Sequence, residues 1–393
     1  MWNPLTLFYQ SAASRDEFLR RRAELLAHAP IPCLWLLGKT GSGKTSIVRY
    51  LTGASDAVIG KGFRPETQYS RLFSFPDEEV PIVRFLDTRG LGEASYDPTA
   101  DVAAFDERAH LVIATVRATD QAAEEIVGPL RKIRQANPQR PVLLAVTCLH
   151  DAYPGQQQPD PDPFDSSPRP LPASLPEDLQ RCLQAHYARF DGLFDRAVPV
   201  DLTPAAEGFA APDFGGERLK QAILDHLPTA YRQTLLQMDP VREELSEMHQ
   251  RRSAPIILAH SVLAASAAAV PIPWIDLPLV MAIQSHLIHR LAKANDQHLD
   301  VATIAQVSVA IGGRIALRMG LRELLKFIPW VGIAANAAAA FAFMYASGWV
   351  WNWYFLQIQQ GHIPSADELR LVYRQQLQKG VELWHITRRE PHP

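Results

Sequence analysis

Gly38, Gly43, Lys44 and Thr45 stand in the spacing G-x-x-x-x-G-K-[ST], inside "LLGKTGSGKTS". Glycines at those two places let backbone N–H groups close around a phosphate chain, and a helix opening at the lysine adds positive potential. Lys44 then reaches the terminal phosphates, and the Thr45 hydroxyl suits Mg²⁺. Lys39, Thr40, Gly41, Ser42 and Ser46 complete the candidate phosphate loop. The stretch before it, "IPCLWLL", reads as a strand, and "TSIVRYL" after it as a helix. A plain glycine turn is the competing reading, and the strand–loop–helix setting weighs against it.

A second group follows in chain order. "FLDTRGLGE" sets Asp87 at the end of an apolar run, followed by Thr88, Arg89 and Gly90. A carboxylate there can hold Mg²⁺ through water, and the Gly90 N–H can bond a γ-phosphate. Between the two groups lies "IGKGFRPETQYSRLFSF", where Thr67 is the candidate to close on Mg²⁺ and γ-phosphate, with Ser70 as the fallback. A Thr67 that simply opens the next strand is the bland alternative.

The elements that must position these residues read as alternating strands and helices. Apolar runs "IPCLWLL", "YSRLFSF", "PIVRFLD", "HLVIATV", "VLLAVT" and "AVPVDL" are separated by amphipathic stretches such as "DQAAEEIVGPLRKIRQA" and "GERLKQAILDHL". That order predicts a doubly wound α/β fold, its mostly parallel sheet covered on both faces. A Pro-, Asp- and Gln-rich insertion, about 153–176, is expected to be an exposed, poorly ordered loop. A helix carrying Arg20, Arg21 and Arg22 is expected to precede the domain, within 1–29. After about Thr229 strand signals vanish and Ala, Leu and Ile recur at helical spacing. The expected division is therefore 1–29, 30–229 and 230–393, the last an all-α domain with two hairpin-like units, each with an Ile-Pro-Trp (Ile272–Trp274 and Ile328–Trp330).

Composition narrows the classes further. A net charge of −3 over 393 residues gives no reason to expect nucleic acid as a partner. Three cysteines, Cys33, Cys148 and Cys182, are too few and too scattered for a disulfide framework or a zinc site. The first residues lack a signal-peptide pattern, so a cytoplasmic location is expected.

With these motifs in this order, the segment from Ile31 to Leu227 resembles the Era-like and dynamin-like branches of the P-loop GTPases. The resemblance implies GTP and GDP as ligands, Mg²⁺ as cofactor and GTP hydrolysis as the activity. In that family an Asn/Thr-Lys-x-Asp sequence after the fifth core strand reads guanine. Here "AVTCLHDAY" keeps Asp151 but sets Cys148 and Leu149 in the first two slots, closest to the variant of the guanylate-binding and atlastin group. His150 beside Asp151 belongs to this candidate base site. The family's last loop corresponds to "VDLTP", with Asp201, Leu202 and Thr203 as candidates. An ATP-using enzyme stays open as an alternative. Where some relatives carry a water-orienting Gln, this chain has Leu91, whose side chain can neither donate nor accept a hydrogen bond. Slow hydrolysis is expected unless Arg89, a second copy of the chain in a homodimer, or another segment supplies the missing group. A solvated switch-loop arginine is the plainer reading of Arg89.

The C-terminal half has two long uncharged runs, Ser253 to Trp274 and Phe327 to Ser365. Spanning a membrane, shallow insertion and a buried helical core are three competing readings. Between them Arg314, Arg318, Arg322 and Lys326 make one basic helical stripe that suits an anionic lipid surface at roughly 1 kcal/mol per residue. A solvated helix face explains it too. "PIPWIDLPLVMAIQSHLIHRLAK" and "KFIPWVGIAANAAAAFAFMYASG" resemble a hydrophobic helical domain fused behind bacterial Era-like GTPases, which implies the inner face of the cell membrane, through 253–290 and 311–358. A soluble nucleotide-controlled scaffold or signalling protein is the rival. Asp276 reads as a helix N-cap, His286 and His289 share a face without a third ligand, and Ser365-x-x-Glu368 reads as a capping box.

Overall fold

The computed structural model describes residues 29–65, 70–78, 81–88, 101, 108–153, 158, 162–164, 171–172, 174–204, 207, 209, 211–236, 253–269, 276–297, 307 and 333–386. The chain divides into two compact units, Pro32–Arg232 and a second one of Met1–Ile31 with Gln233–Pro393. Thr67, Arg89, Gly90, Leu91, the arginine-bearing N-terminal segment, the Ile-Pro-Trp pairs and the basic stripe at Arg314 to Lys326 lie outside the described residues.

The first unit is a mixed α/β layer structure. Its strands are β1 (Cys33–Leu37), β2 (Arg64–Pro65), β3 (Ser70–Phe75), β4 (Val83–Thr88), β5 (Leu111–Arg117), β6 (Val142–Thr147) and β7 (Arg196–Pro199). They form one sheet in the order β2-β3-β4-β1-β5-β6-β7. All neighbours are parallel except β2 with β3 and β3 with β4. Each of the six apolar runs contributes one of these strands; β2, only two residues long, carries no sequence signal of its own. β1 and β6 are buried along their whole length, as parallel strands covered on both faces must be, so they read as unbroken apolar runs.

Helices α1 (Lys44–Thr52), α2 (Asp56–Gly62), α3 (Glu124–Ala136), α4 (Glu177–Arg189) and α5 (Gly216–His226) accompany the sheet, and α6 (Thr229–Leu236) follows. The amphipathic ones turn a periodic apolar face inward, as Ile126, Leu130 and Ile133 do on α3. The insertion departs from an exposed loop at its described residues. Phe164 is fully buried in the core, Asp162 meets Arg218 at 2.8 Å, and the Arg218 guanidinium lies over the Phe164 ring. At Phe164 an aromatic ring among prolines and aspartates gains more from the core than from water.

β1 and β5 are stitched at their start by His110. Its Nδ1 accepts from the Cys33 N–H at 3.0 Å while its own N–H donates to the Cys33 carbonyl at 2.9 Å. An accepting Nδ1 requires a neutral ring. Burial pushes the His110 pKa from 6.5 down to about 4. The unfolded chain therefore takes up a proton that the folded chain refuses, so stability is lost as pH falls from 6.5 to about 4. The loss attributable to this ring is about 3 kcal/mol at most. Denaturant titrations at pH 7 and pH 4.5 check it: His110→Gln is expected to shrink the difference, and an unchanged difference would assign the acid sensitivity elsewhere.

In the second unit the described elements are the helices α7 (Ala254–Ala269), α8 (Asp276–Ala294), α9 (Ile333–Gln359) and α10 (Ala366–Ile386). α7 and α9 are apolar all round, with no stripe to point at a single neighbour. α9 packs against α7, α8 and α10, and from Ala337 to Phe355 none of its residues is exposed. Polar seams cross this apolar core. Ser253 donates to Asn352 at 2.5 Å, Gln284 donates to Ser347 at 3.0 Å, and the His260 and His286 rings meet at 3.0 Å. His286 is thus committed to a neighbouring helix, and the described residues hold no cluster of three metal-binding side chains. Asp276 is the first residue of α8. The capping box at the start of α10 is formed: the Ser365 N–H donates to Glu368 at 2.8 Å, and the Glu368 N–H donates to the Ser365 hydroxyl at 3.3 Å. Among the described residues no helix is long and apolar enough to cross a membrane.

Candidate functional site

β1 sits between β4 and β5, and the loop that leaves its C-terminal end carries Gly38 to Gly43. This is where the sheet's strand order turns, the place at which open α/β sheets offer a crevice. The loop needs its glycines for two separate reasons. A Cβ at Gly38 would fall 2.0 Å from Thr115 Oγ1 and 2.6 Å from the Thr115 carbonyl oxygen. Gly43 sits at φ 85°, where a side chain is strained, and a Cβ would also press on Thr147 at 3.1 Å.

Two threonines hold the loop from beneath. Thr115, on β5, shares a 2.6 Å hydrogen bond with the Ser42 hydroxyl, and the Thr147 hydroxyl, at the end of β6, donates to the Ser42 carbonyl at 3.0 Å. Neither threonine announces itself in the sequence, because each acts across more than seventy positions of chain.

Within the loop the candidate residues take distinct places. Lys44 Nζ donates to the carbonyls of Gly38 and Lys39 and lies 3.7 Å from Asp87 Oδ1. Asp87 comes from the end of β4, paired in register with Leu36 of β1, so both motifs open on one edge of the sheet. Thr40, Gly41 and Thr45 are exposed there, and Ser46 is half-buried. Lys39 points to another element: its ammonium pairs with Asp120 at 3.2 Å and Glu125 at 3.0 Å. Burial opposes its charge, but the bonds to Glu125 and Asp120 outweigh burial and raise its pKa. Ser70 is removed from the loop, buried at the start of β3 with its hydroxyl 3.4 Å from Thr88 Oγ1.

A cleft of about 250 Å³ opens beside the start of α1. Its walls include Gly43, Ser46, Thr147, Cys148, His150, Asp201 and Leu202, drawn from the phosphate loop, the β6 end and the loop after β7. The sequence candidates His150, Asp201 and Leu202 therefore meet there. Asp201 is buried, its N–H tied to the Phe214 carbonyl at 2.8 Å. Its Oδ1 lies 2.6 Å from His150 Nδ1, and its Oδ2 accepts from the His150 N–H at 3.2 Å and from Gln158 at 3.3 Å. Burial raises the Asp201 pKa, and His150 opposes that rise.

Asp151 behaves differently. It lies in a short turn, Leu149–Ala152, and its Oδ2 accepts from Arg117 at 2.5 Å. That bond is the main reason the Arg117 pKa is raised. Cys148, at φ 53°, starts the turn, and burial pushes its thiol up. Arg49, whose guanidinium donates to the Leu202 carbonyl at 2.6 Å, ties α1 to the loop after β7. Sequence reasoning passed over Arg49, Arg117, Thr115 and Thr147. Each is a common residue type whose role rests on a partner far along the chain.

No family model matches the chain. Among solved structures, the bacterial selenocysteine-specific elongation factor EF-Sec is 14% identical with a TM-score of 0.31, over 50% of this chain and 28% of that one. LeoA, a bacterial dynamin GTPase from ETEC, is 14% identical with a TM-score of 0.35, over 98% of this chain and 91% of that one. The chain thus spans little more than a quarter of the elongation factor's length. A curated relative is more similar in sequence: magnetosome membrane protein 22 of Magnetospirillum gryphiswaldense is 30% identical over 131 residues, 31% of this chain and 67% of the relative. At that identity, over two thirds of the relative's length, the chain belongs to the family of magnetosome membrane protein 22.

Proposed function

We propose that the chain is a GTP-binding switch that hydrolyses GTP slowly, with the phosphates on the loop from Gly38 to Ser46 and the base in the adjoining cleft. The observation that carries this reading is the joining of a glycine loop at a helix N-terminus, a lysine at its tip and a cleft of nucleobase size in one continuous surface. Lys44 exchanges its loop carbonyls for the terminal phosphates. The exposed Thr45, next to Lys44 in the chain, and the Asp87 carboxylate, 3.7 Å from the Lys44 ammonium, are hard oxygen donors of the kind Mg²⁺ takes, and they would hold it. The ion supplies charge neutralisation at the phosphates. Thr67 and the Gly90 N–H are assigned the γ-phosphate, and Arg89 is the candidate to offset the missing water-orienting group at Leu91.

The second unit is the effector in this reading. The relative's name, a membrane protein, supports membrane association; the cytoplasmic inner face, met through 253–290 and 311–358, is the finer assignment made in this reading. One observation favours a second reading for the apolar run itself: α9 is enclosed by α7, α8 and α10, so it serves as the core of a helical unit whose outer surface meets lipid or a protein partner. The test is turnover of GTP with Mg²⁺ by the full chain, with ATP as competitor and with anionic vesicles present or absent, each sample then floated on a density gradient. Slow turnover that ATP fails to inhibit, with flotation that differs between GDP and a non-hydrolysable GTP analogue, is expected. Equal competition by ATP would replace the guanine reading. Failure to float in either nucleotide would leave a scaffold whose helices face protein.

A further inference from the structure

Where β4 ends beside the phosphate loop, three neighbouring strands are joined by side chains as well as by backbone. Trp35 on β1 pairs in register with Leu86 of β4, and its indole N–H donates to the Thr88 hydroxyl at 2.8 Å. Thr88 is the last residue of β4 and pairs across the antiparallel step with Ser70, the first residue of β3. Their hydroxyl oxygens are 3.4 Å apart. Trp35 and Thr88 are fully buried, and Ser70 is almost so. An indole N–H can only donate, so Thr88 Oγ1 accepts from Trp35 and keeps its own hydrogen for a second partner. Alternation along β4 turns Asp87 to the opposite face, where its carboxylate lies 3.7 Å from the Lys44 ammonium.

A polar link at this place calls for a reason. Trp35 and Leu86 belong to an apolar core cluster, and apolar side chains of similar shape would serve packing about as well. What sets Thr88 apart is its position. The chain leaves the sheet just after Thr88 and enters it at Ser70. Gly90 follows Thr88 by two residues and Thr67 precedes Ser70 by three, and these are the groups assigned the γ-phosphate above. We infer that Thr88 is a positioning residue: held by the Trp35 indole, it fixes the paired strand ends from which both γ-phosphate segments start. The inference rests on the nucleotide reading above and names how that site distinguishes a triphosphate from a diphosphate. A segment that starts from a fixed strand end loses less conformational freedom when a ligand orders it. GDP has no γ-phosphate to order either segment, so its affinity does not depend on the tether.

The test is titration of the full chain with GDP and with a non-hydrolysable GTP analogue in Mg²⁺ buffer, beside a thermal melt of each variant. Thr88→Val keeps the shape of the side chain and removes the acceptor of the Trp35 N–H. It is expected to melt below the wild type and to lower affinity for the GTP analogue about tenfold, with GDP affinity changed by less than about twofold. Thr88→Ser keeps the hydroxyl and is expected to retain most of the preference. The double variant Trp35→Phe/Thr88→Val removes both ends of the bond. Its melt is expected to move back toward the wild type, because no buried donor has lost its acceptor. Its ratio of GTP-analogue to GDP affinity is expected to stay low, since the tether is still absent. A purely structural bond would make that ratio follow the melt, so a double variant that regains the wild-type ratio would overturn the inference. Thr88→Val with the wild-type ratio would do the same. If Thr88→Val fails to fold, the double variant carries the comparison by itself. A wild type that binds neither nucleotide would overturn the nucleotide reading instead, and the wild-type arm alone separates that outcome from the others.

Discussion

Replacing Lys44 with alanine is expected to lower affinity for GTP by about a hundredfold or more while the first unit still melts cooperatively. The ammonium rests on its own loop, donating to the Gly38 and Lys39 carbonyls with Asp87 3.7 Å away. That posture places it over the mouth of the loop, where a phosphate chain would displace the carbonyls. Each charge-assisted hydrogen bond it makes to phosphate contributes about 1.5–3 kcal/mol. Losing two of them corresponds to about two to four powers of ten in the dissociation constant. The cost to folding is smaller, because Lys44 and Asp87 retain some access to water and their pair is long for an ion pair. Titration with a fluorescent GTP analogue, read beside a thermal melt, checks both halves of the expectation. Unchanged affinity would dissociate the loop from nucleotide binding altogether.

Gly348→Leu is the second large effect, and it bears on what the apolar half of the chain is. A Cβ at Gly348 would lie 2.9 Å from two side-chain carbons of Ile257 on α7 and 3.2 Å from Leu287 on α8. Both neighbours are fully buried, so neither can swing into solvent. Helix preference alone favours any such replacement of glycine by up to about 1 kcal/mol. Overpacking dominates: a leucine driven into this junction costs about 3 kcal/mol or more, by pushing α9 away from two helices at once. Gly60 on α2 is the control, since a Cβ there meets nothing within 4 Å beyond its chain neighbours, and Gly60→Ala is expected to stabilise by about 0.5–1 kcal/mol. Chemical denaturation of the full chain, followed by tryptophan fluorescence, distinguishes the two signs. A neutral Gly348→Leu would mean that α9 does not live in this packed core, and would favour lipid around it.

The elements on which these expectations rest were legible in the sequence to different degrees, for physical reasons that individual residues make plain. The parallel strands were legible because burial on both faces demands unbroken apolar runs, as in "CLWLL" and "VLLAVT". Ser365 and Glu368 were legible as a cap because the two partners are three residues apart and the bond between them is local. The strand–loop–helix setting of Gly38 to Thr45 is local in the same sense.

What no local pattern contains is who meets whom. Asp201 and His150 are fifty-one positions apart and Lys39 and Asp120 eighty-one, so only the folded sheet brings each pair together. The sequence by itself determined the alternating α/β order, the candidate phosphate loop and the apolar character of the last helices. Tertiary structure decided that Asp151 gives one oxygen to Arg117, that Phe164 is buried in the core, and that helices pack around α9. A helix that is apolar on every side carries no periodicity to name its neighbours, since lipid and protein core satisfy such a surface equally well. Packing alone, through Gly348 against Ile257 and through the Asn352 and Ser347 seams, distinguishes one from the other.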